Sequence, residues 1–151
     1  MFGVLPQCLR DRDPQSLQTL LEASTMANLA CGNSGLGLVH ALSLATAVRL
    51  PHGHQNGVLL PAVAAFNYPL VRPAVRPLID RLEPFYEQIG FGARFEPGDL
   101  DGAATDAMIE VALASPLSAN NVRPADRRDL REILKRVGAP VSESKQRAEP
   151  D

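Results

Sequence analysis

Tryptophan is absent from the 151 residues, tyrosine occurs twice, and aromatic residues make up only 5%. That leaves few flat platforms for stacking a nucleobase or a sugar. Positive charge is in no excess, because 15 lysines and arginines face 17 aspartates and glutamates for a formal net charge of -2. No global field draws in nucleic acid or an anionic bilayer, and neither partner is expected. The two cysteines, Cys8 and Cys31, are too few and too far apart for a disulfide scaffold, and read as reduced thiols of a cytoplasmic protein. The longest apolar stretches, residues 36–48 and 58–66, are interrupted by His40 and Pro61 and fall short of the roughly 20 residues a spanning helix needs. Residues 1–6 carry no basic region and end in proline, so no secretory leader is expected. Runs of alternating β-branched residues are missing too, which argues against a sheet and for an all-α fold.

With 45% hydrophobic and 21% charged residues, the chain has the balance of a folded domain, and its length suits one domain better than two. Asp13 followed by Pro14 reads as a cap and first position of a helix reaching about Ala30, with Gly32 to Gly35 as the break. A second helix, apolar nearly all round, is expected from Leu36 to about Ala47, and a turn over Pro51 to Gly57. A third helix covers Val58 to Phe66 around Pro61. The prolines at 69, 73 and 77 predict an irregular connection, followed by a helix over residues 78–89 that Gly90 ends. Two more helices follow, Asp101 to Ala114 and Asp129 to Val137, the last with Leu130, Ile133, Leu134 and Val137 in one stripe. Residues 1–138 make the domain in this reading, and the polar residues 139–151 a disordered tail. The apolar spacings predict a core of Leu20, Leu21, Leu29, Leu38, Val39, Leu42, Leu59, Leu60, Ile79, Met108, Val111, Leu130 and Ile133.

All three histidines, His40, His52 and His54, fall within fifteen residues. Neutral imidazole is a common metal ligand, yet the spacing fits no zinc-finger pattern and no acidic residue lies close by. A hydrogen-bonded core His40 beside two solvated turn histidines is the competing reading. Other signatures fail residue by residue. Gly32-Asn33-Ser34-Gly35-Leu36 lacks the last glycine of a nucleophile elbow, which leaves Ser34 as a helix cap. Gly35-Leu36-Gly37 opens like a dinucleotide fingerprint, but His40 replaces its final glycine and no strand leads in. The basic residues Arg123, Arg127, Arg128, Arg131, Lys135 and Arg136 alternate with Asp126, Asp129 and Glu132, the pattern of a solvated helix face laced with ion pairs.

Taken together, several short pieces resemble the iron-containing alcohol dehydrogenases and occur in that family's order. They are the small-residue segment from Asn28 to His40, the Pro51-His52-Gly53 turn, Asn56-Gly57-Val58-Leu59-Leu60-Pro61, and Phe66-Asn67. Asn120-Asn121 with Arg123-Pro124, then Asp129-Leu130 and Ile133-Leu134, resembles the family's closing pattern. The resemblance runs from about Leu9 to Val137.

It implies the helical C-terminal domain of the iron-containing alcohol dehydrogenase and dehydroquinate synthase-like fold, with the Rossmann-like N-terminal domain absent. His40 and His52 would correspond to two of the family's metal ligands, for Fe²⁺ or Zn²⁺. An upstream Asp and His that complete the family's set have no counterpart in residues 1–12. His54 is a candidate for the substrate pocket. Leu44 stands where many members carry a further histidine, and the link from His40 to His52 is slightly short. The activity implied is oxidation of a small alcohol to an aldehyde or ketone, the metal acting as Lewis acid and a nicotinamide cofactor, NAD(P), accepting hydride. The cofactor would bind only where the missing domain is supplied, so the chain is expected to be a truncated or split member, inactive alone and prone to self-association or pairing with a related chain. A non-catalytic helical remnant or interaction module, or a simple metal-binding protein, are the alternatives.

Overall fold

In a computed structural model that describes residues 2–140, Asp13 accepts the backbone N–H of Ser16 at 2.9 Å and Pro14 opens the longest helix. That helix is α2 (Pro14–Ser34), preceded by α1 (Val4–Asp11), which the sequence reading omits. α2 runs through Gly32 and ends four residues later than expected, at Gly35, whose φ of +75° a side chain rarely allows. α3 (Leu38–Leu42) is much shorter than expected, and the chain turns after its cap at Ser43. Then come α4 (His52–Asn67), a 3-10 turn (Pro73–Val75), α5 (Arg76–Ile79), α6 (Leu82–Ile89), α7 (Gly102–Ala114), α8 (Pro116–Ala119) and α9 (Arg127–Arg136). Among the described residues there is no strand, only an isolated bridge between Pro97 and Leu100. The all-α fold is thus present. No described helix is long and apolar enough to cross a membrane.

α4 departs most from expectation, since the residues read as a turn are its first two turns. Pro51, extended at ψ 140°, precedes the helix, which then carries Gly53 and Gly57 inside it. Glycine costs a helix about 1 kcal/mol, but at Gly57 the space is used: a Cβ there would lie 2.9 Å from the Phe91 ring. Pro61, four residues on, has no N–H for the Gly57 carbonyl. Tyr86 of α6 supplies the missing donor, its hydroxyl lying 2.9 Å from that oxygen, and its burial pushes the phenol pKa up. Tyr86→Phe is expected to leave the carbonyl unpaired and to lower stability by roughly 1–3 kcal/mol, read as a shift of the urea midpoint with unchanged slope.

α3, α4, α7 and α9 enclose one core in which Leu38, Leu42, Leu59, Met108, Leu130 and Ile133 are buried as expected. Leu134, Val137 and Ala139 extend it. Val39, Val111, Leu20 and Ile79 are half-buried. Leu21, Leu29 and Leu60 are exposed at 70%, 63% and 38%, against expectation. Helical periodicity shows that a face is apolar but not what lies over it. α2 packs chiefly on α1, which in turn packs on α6, so most of its length meets no covering element. Leu17 and Met26 are exposed on it as well, and Ser16 is its sole buried residue. The helix expected over 78–89 is split into α5 and α6. Of the tail expected over 139–151, Ala139 is instead buried at the core with its N–H on the Leu134 carbonyl, and the residues from 141 onward lie outside the described residues.

At the other end, Asp126 and Asp129 form a reciprocal capping box for α9. Part of its basic face is ion-paired: Arg127 grips the Glu110 carboxylate through both terminal guanidinium nitrogens, and Lys135 lies 3.5 Å from Glu132.

Candidate metal-ligand site

His40 sits on α3 and His52 opens α4. Twelve residues after His40 the chain has turned back, and the imidazole centroids are 5.4 Å apart. Asn56 lies one helical turn beyond His52, on the same face of α4. Its amide nitrogen is 3.3 Å from His40 Nε2 and 3.1 Å from His52 Nε2, so both ring nitrogens address one point. On the far side of the amide, the buried Ser43 hydroxyl is 2.6 Å from Asn56 Oδ1. His52 Nδ1 is 3.4 Å from the Ser43 carbonyl. Partial burial first, and then repulsion from His52, hold the His40 pKa below the ordinary imidazole value. The structure therefore brings two of the three histidines together. His54 points elsewhere: its ring packs on Phe91 with centroids 5.2 Å apart.

Beside His40 opens a cavity of about 470 Å³ whose lining includes the apolar Leu36, Val39, Leu60 and Val63 and the amides of Asn56, Asn67 and Asn121. The exposed thiol of Cys31 reaches its rim, whereas Cys8 is buried, and the two are unpaired. Neither His52 nor His54 lines this space.

The segment before His40 is held by the chain's closing loop. Asn120 Nδ2 lies 3.2 Å from the Ser34 carbonyl and 2.9 Å from that of Leu36, straddling Gly35. Asn121 and Asn67 exchange amide hydrogen bonds of 2.8 and 3.0 Å. Asn121 also donates to the Arg123 carbonyl at 2.7 Å, and the Arg123 guanidinium donates to the Phe66 carbonyl at 3.0 Å while covering the Phe66 ring. Asn67 at the end of α4 and Asn121 near the end of the domain thus meet each other.

Residues 2–77 match the Fe-containing alcohol dehydrogenase family, C-terminal. This half of the chain holds α1 to α4 and both converging histidines. The chain belongs to that family. Among curated relatives, 1-propanol dehydrogenase PduQ of Salmonella typhimurium is 30% identical over an alignment covering 91% of this chain and 45% of the relative. The probable alcohol dehydrogenase EutG of Escherichia coli is 29% identical over 75% of the chain and 33% of its own length. A 1,3-propanediol dehydrogenase of Citrobacter freundii is 34% identical over 75% and 27%. The chain spans less than half the length of these relatives. No solved structure matches it.

Among the described residues, no group of three or more His, Cys, Asp or Glu side chains is placed to hold a metal ion. Two convergent neutral imidazoles are nevertheless the right chemistry for part of an Fe²⁺ or Zn²⁺ shell. The donor set fits as a fraction of a site, with further ligands required from elsewhere. Asn56 and Ser43 carry no role in the sequence reading. The signal for Asn56 was its four-residue offset from His52, hidden by the expectation of a turn there; for Ser43 the sequence offers none.

Proposed function

We propose that this chain supplies the helical, metal-ligand half of a metal-dependent alcohol dehydrogenase that works with NAD(P), and that it is catalytically silent alone. The observation that carries this reading is the convergence of His40 Nε2 and His52 Nε2 on one point. When bound, a divalent ion would supply a Lewis acid for the oxygen of the alcohol or carbonyl substrate. His40 and His52 would hold it. The apolar wall of Leu36, Val39, Leu60 and Val63 next to His40 would receive the carbon chain of a small alcohol or aldehyde. The names of the relatives make 1-propanol and 1,3-propanediol the first substrates to test. His54, packed on Phe91, would act on substrate only at the outer edge of such a site.

The cofactor and the remaining ligands would come from a second, nucleotide-binding unit, and the exposed apolar residues of α2, Leu17, Leu21, Met26 and Leu29, offer a face for it or for a related chain. A cytoplasmic setting accords with two free thiols. The same face supports the second reading, a non-catalytic pairing module.

The test is calorimetric titration of the chain, His40→Ala and His52→Ala with Zn²⁺ or Fe²⁺. One weak site is expected, well below the affinity of a four-ligand centre, weakened by at least about tenfold in each variant. Equal binding by all three proteins would refute the metal role. Nicotinamide reduction by the chain alone would refute its silence, since hydride transfer needs both reactants held together.

A further inference from the structure

We propose that Ser43 and Asn56 form a positioning latch that fixes the tautomers of His40 and His52, keeping both protons on Nδ1 and both Nε2 lone pairs turned to the shared point. The argument starts from the 2.6 Å contact between Ser43 Oγ and Asn56 Oδ1. That length belongs to an O–H···O bond and is shorter than N–H···O bonds normally are. The amide oxygen therefore faces Ser43, accepts its one hydroxyl proton in preference to the more distant His40 carbonyl at 3.2 Å, and leaves the NH₂ group facing the rings. An amide nitrogen offers two hydrogens and no lone pair. With His40 Nε2 at 3.3 Å and His52 Nε2 at 3.1 Å, one hydrogen serves each ring, and both Nε2 atoms must be acceptors.

The other side of His52 agrees. Its Nδ1 is 3.4 Å from the Ser43 carbonyl, an oxygen that can only accept, so a proton on Nδ1 has a partner there and a lone pair would not. Ser43 thus acts on the pair twice, through its hydroxyl by way of Asn56 and through its carbonyl directly. Reversing the amide would place its oxygen against both rings, move both protons to Nε2, and turn the lone pairs outward.

The latch spares the rings a reorientation before they ligate, and partners of this kind commonly set metal affinity over 10- to 100-fold. Its use rests on the metal reading above; the tautomers do not. The experiment is ¹⁵N NMR of the imidazoles in the metal-free chain at about pH 8, above the ordinary imidazole pKa of about 6.5, followed by Zn²⁺ titration. Wild type is expected to show Nδ1–H on both rings. Asn56→Asp, which offers acceptors only, should transfer both protons to Nε2. Ser43→Ala should give mixed tautomers and bind Zn²⁺ roughly tenfold more weakly. Nε2–H on both wild-type rings, unchanged tautomers in Asn56→Asp, or wild-type Zn²⁺ affinity in Ser43→Ala would each overturn the latch. Wild-type tautomers as stated without any Zn²⁺ binding would uphold it and refute the metal reading.

Discussion

Gly35→Ala is expected to lower stability by about 2–4 kcal/mol, from a strained backbone and the loss of hydrogen bonds beside it. Gly35 adopts φ +75° and ψ 169°, a region essentially closed to residues with a side chain. Its added Cβ would lie 2.8 Å from Asn120 Nδ2. Asn120 could relieve the clash only by withdrawing from the Ser34 and Leu36 carbonyls it bridges. Equilibrium urea denaturation checks the magnitude. A control, Gly32→Ala, adds a Cβ with nothing within 4 Å inside the same helix, and should be neutral or stabilising by up to about 1 kcal/mol. Equal midpoints for the two variants would defeat the account.

The second large effect is expected at Leu59, fully buried on α4 between the histidine-bearing first turn and Pro61. Leu59→Ala should cost about 2–5 kcal/mol, the usual range when a core side chain is cut back and the void only partly closes. Leu60→Ala, at the next position but 38% exposed, should cost well under half as much. The pair of midpoints, measured under one condition, separates burial from helix propensity because both changes are leucine to alanine in one helix. The effect should also reach the site: His52 and Asn56 ride on the same helix, so Leu59→Ala should broaden the imidazole resonances while Leu60→Ala leaves them sharp.

Several elements were legible because local chemistry decides them. Asp13, ahead of Pro14, and Asp101 cap their helices through their own carboxylates, and the stripe Leu130, Ile133, Leu134 is buried as its spacing requires. Where tertiary contacts decide, the sequence reading failed in identifiable ways. The start of α4 was hidden by two glycines and a proline, residues that usually mark a turn, but here Pro51 leads into a helix that carries both glycines, and Gly57 admits Phe91. α3 stopped early at Ser43, whose side chain reaches across to Asn56 of α4 rather than continuing an apolar helix. Leu21 and Leu29 carry a core-like pattern on a helix that little else covers. Of the site, the histidine pair was visible by resemblance. The amide that joins the two rings was not, because its role follows from an angle around α4 that only the correct helix start reveals.

The asparagine clasp has a consequence for the order of events during synthesis. Asn120 holds carbonyls 84 and 86 positions earlier in the chain, and Asn121 pairs with a residue 54 positions earlier. While the ribosome is still translating the segment before residue 120, the Ser34 and Leu36 carbonyls lack their Asn120 partner. Such distant closures are slow compared with helix formation. The bonds that join His40, Ser43, His52 and Asn56 lie within seventeen residues, so the histidine-bearing turn closes on itself first, and the Ser34–Leu36 stretch before it is fastened only when Asn120 arrives.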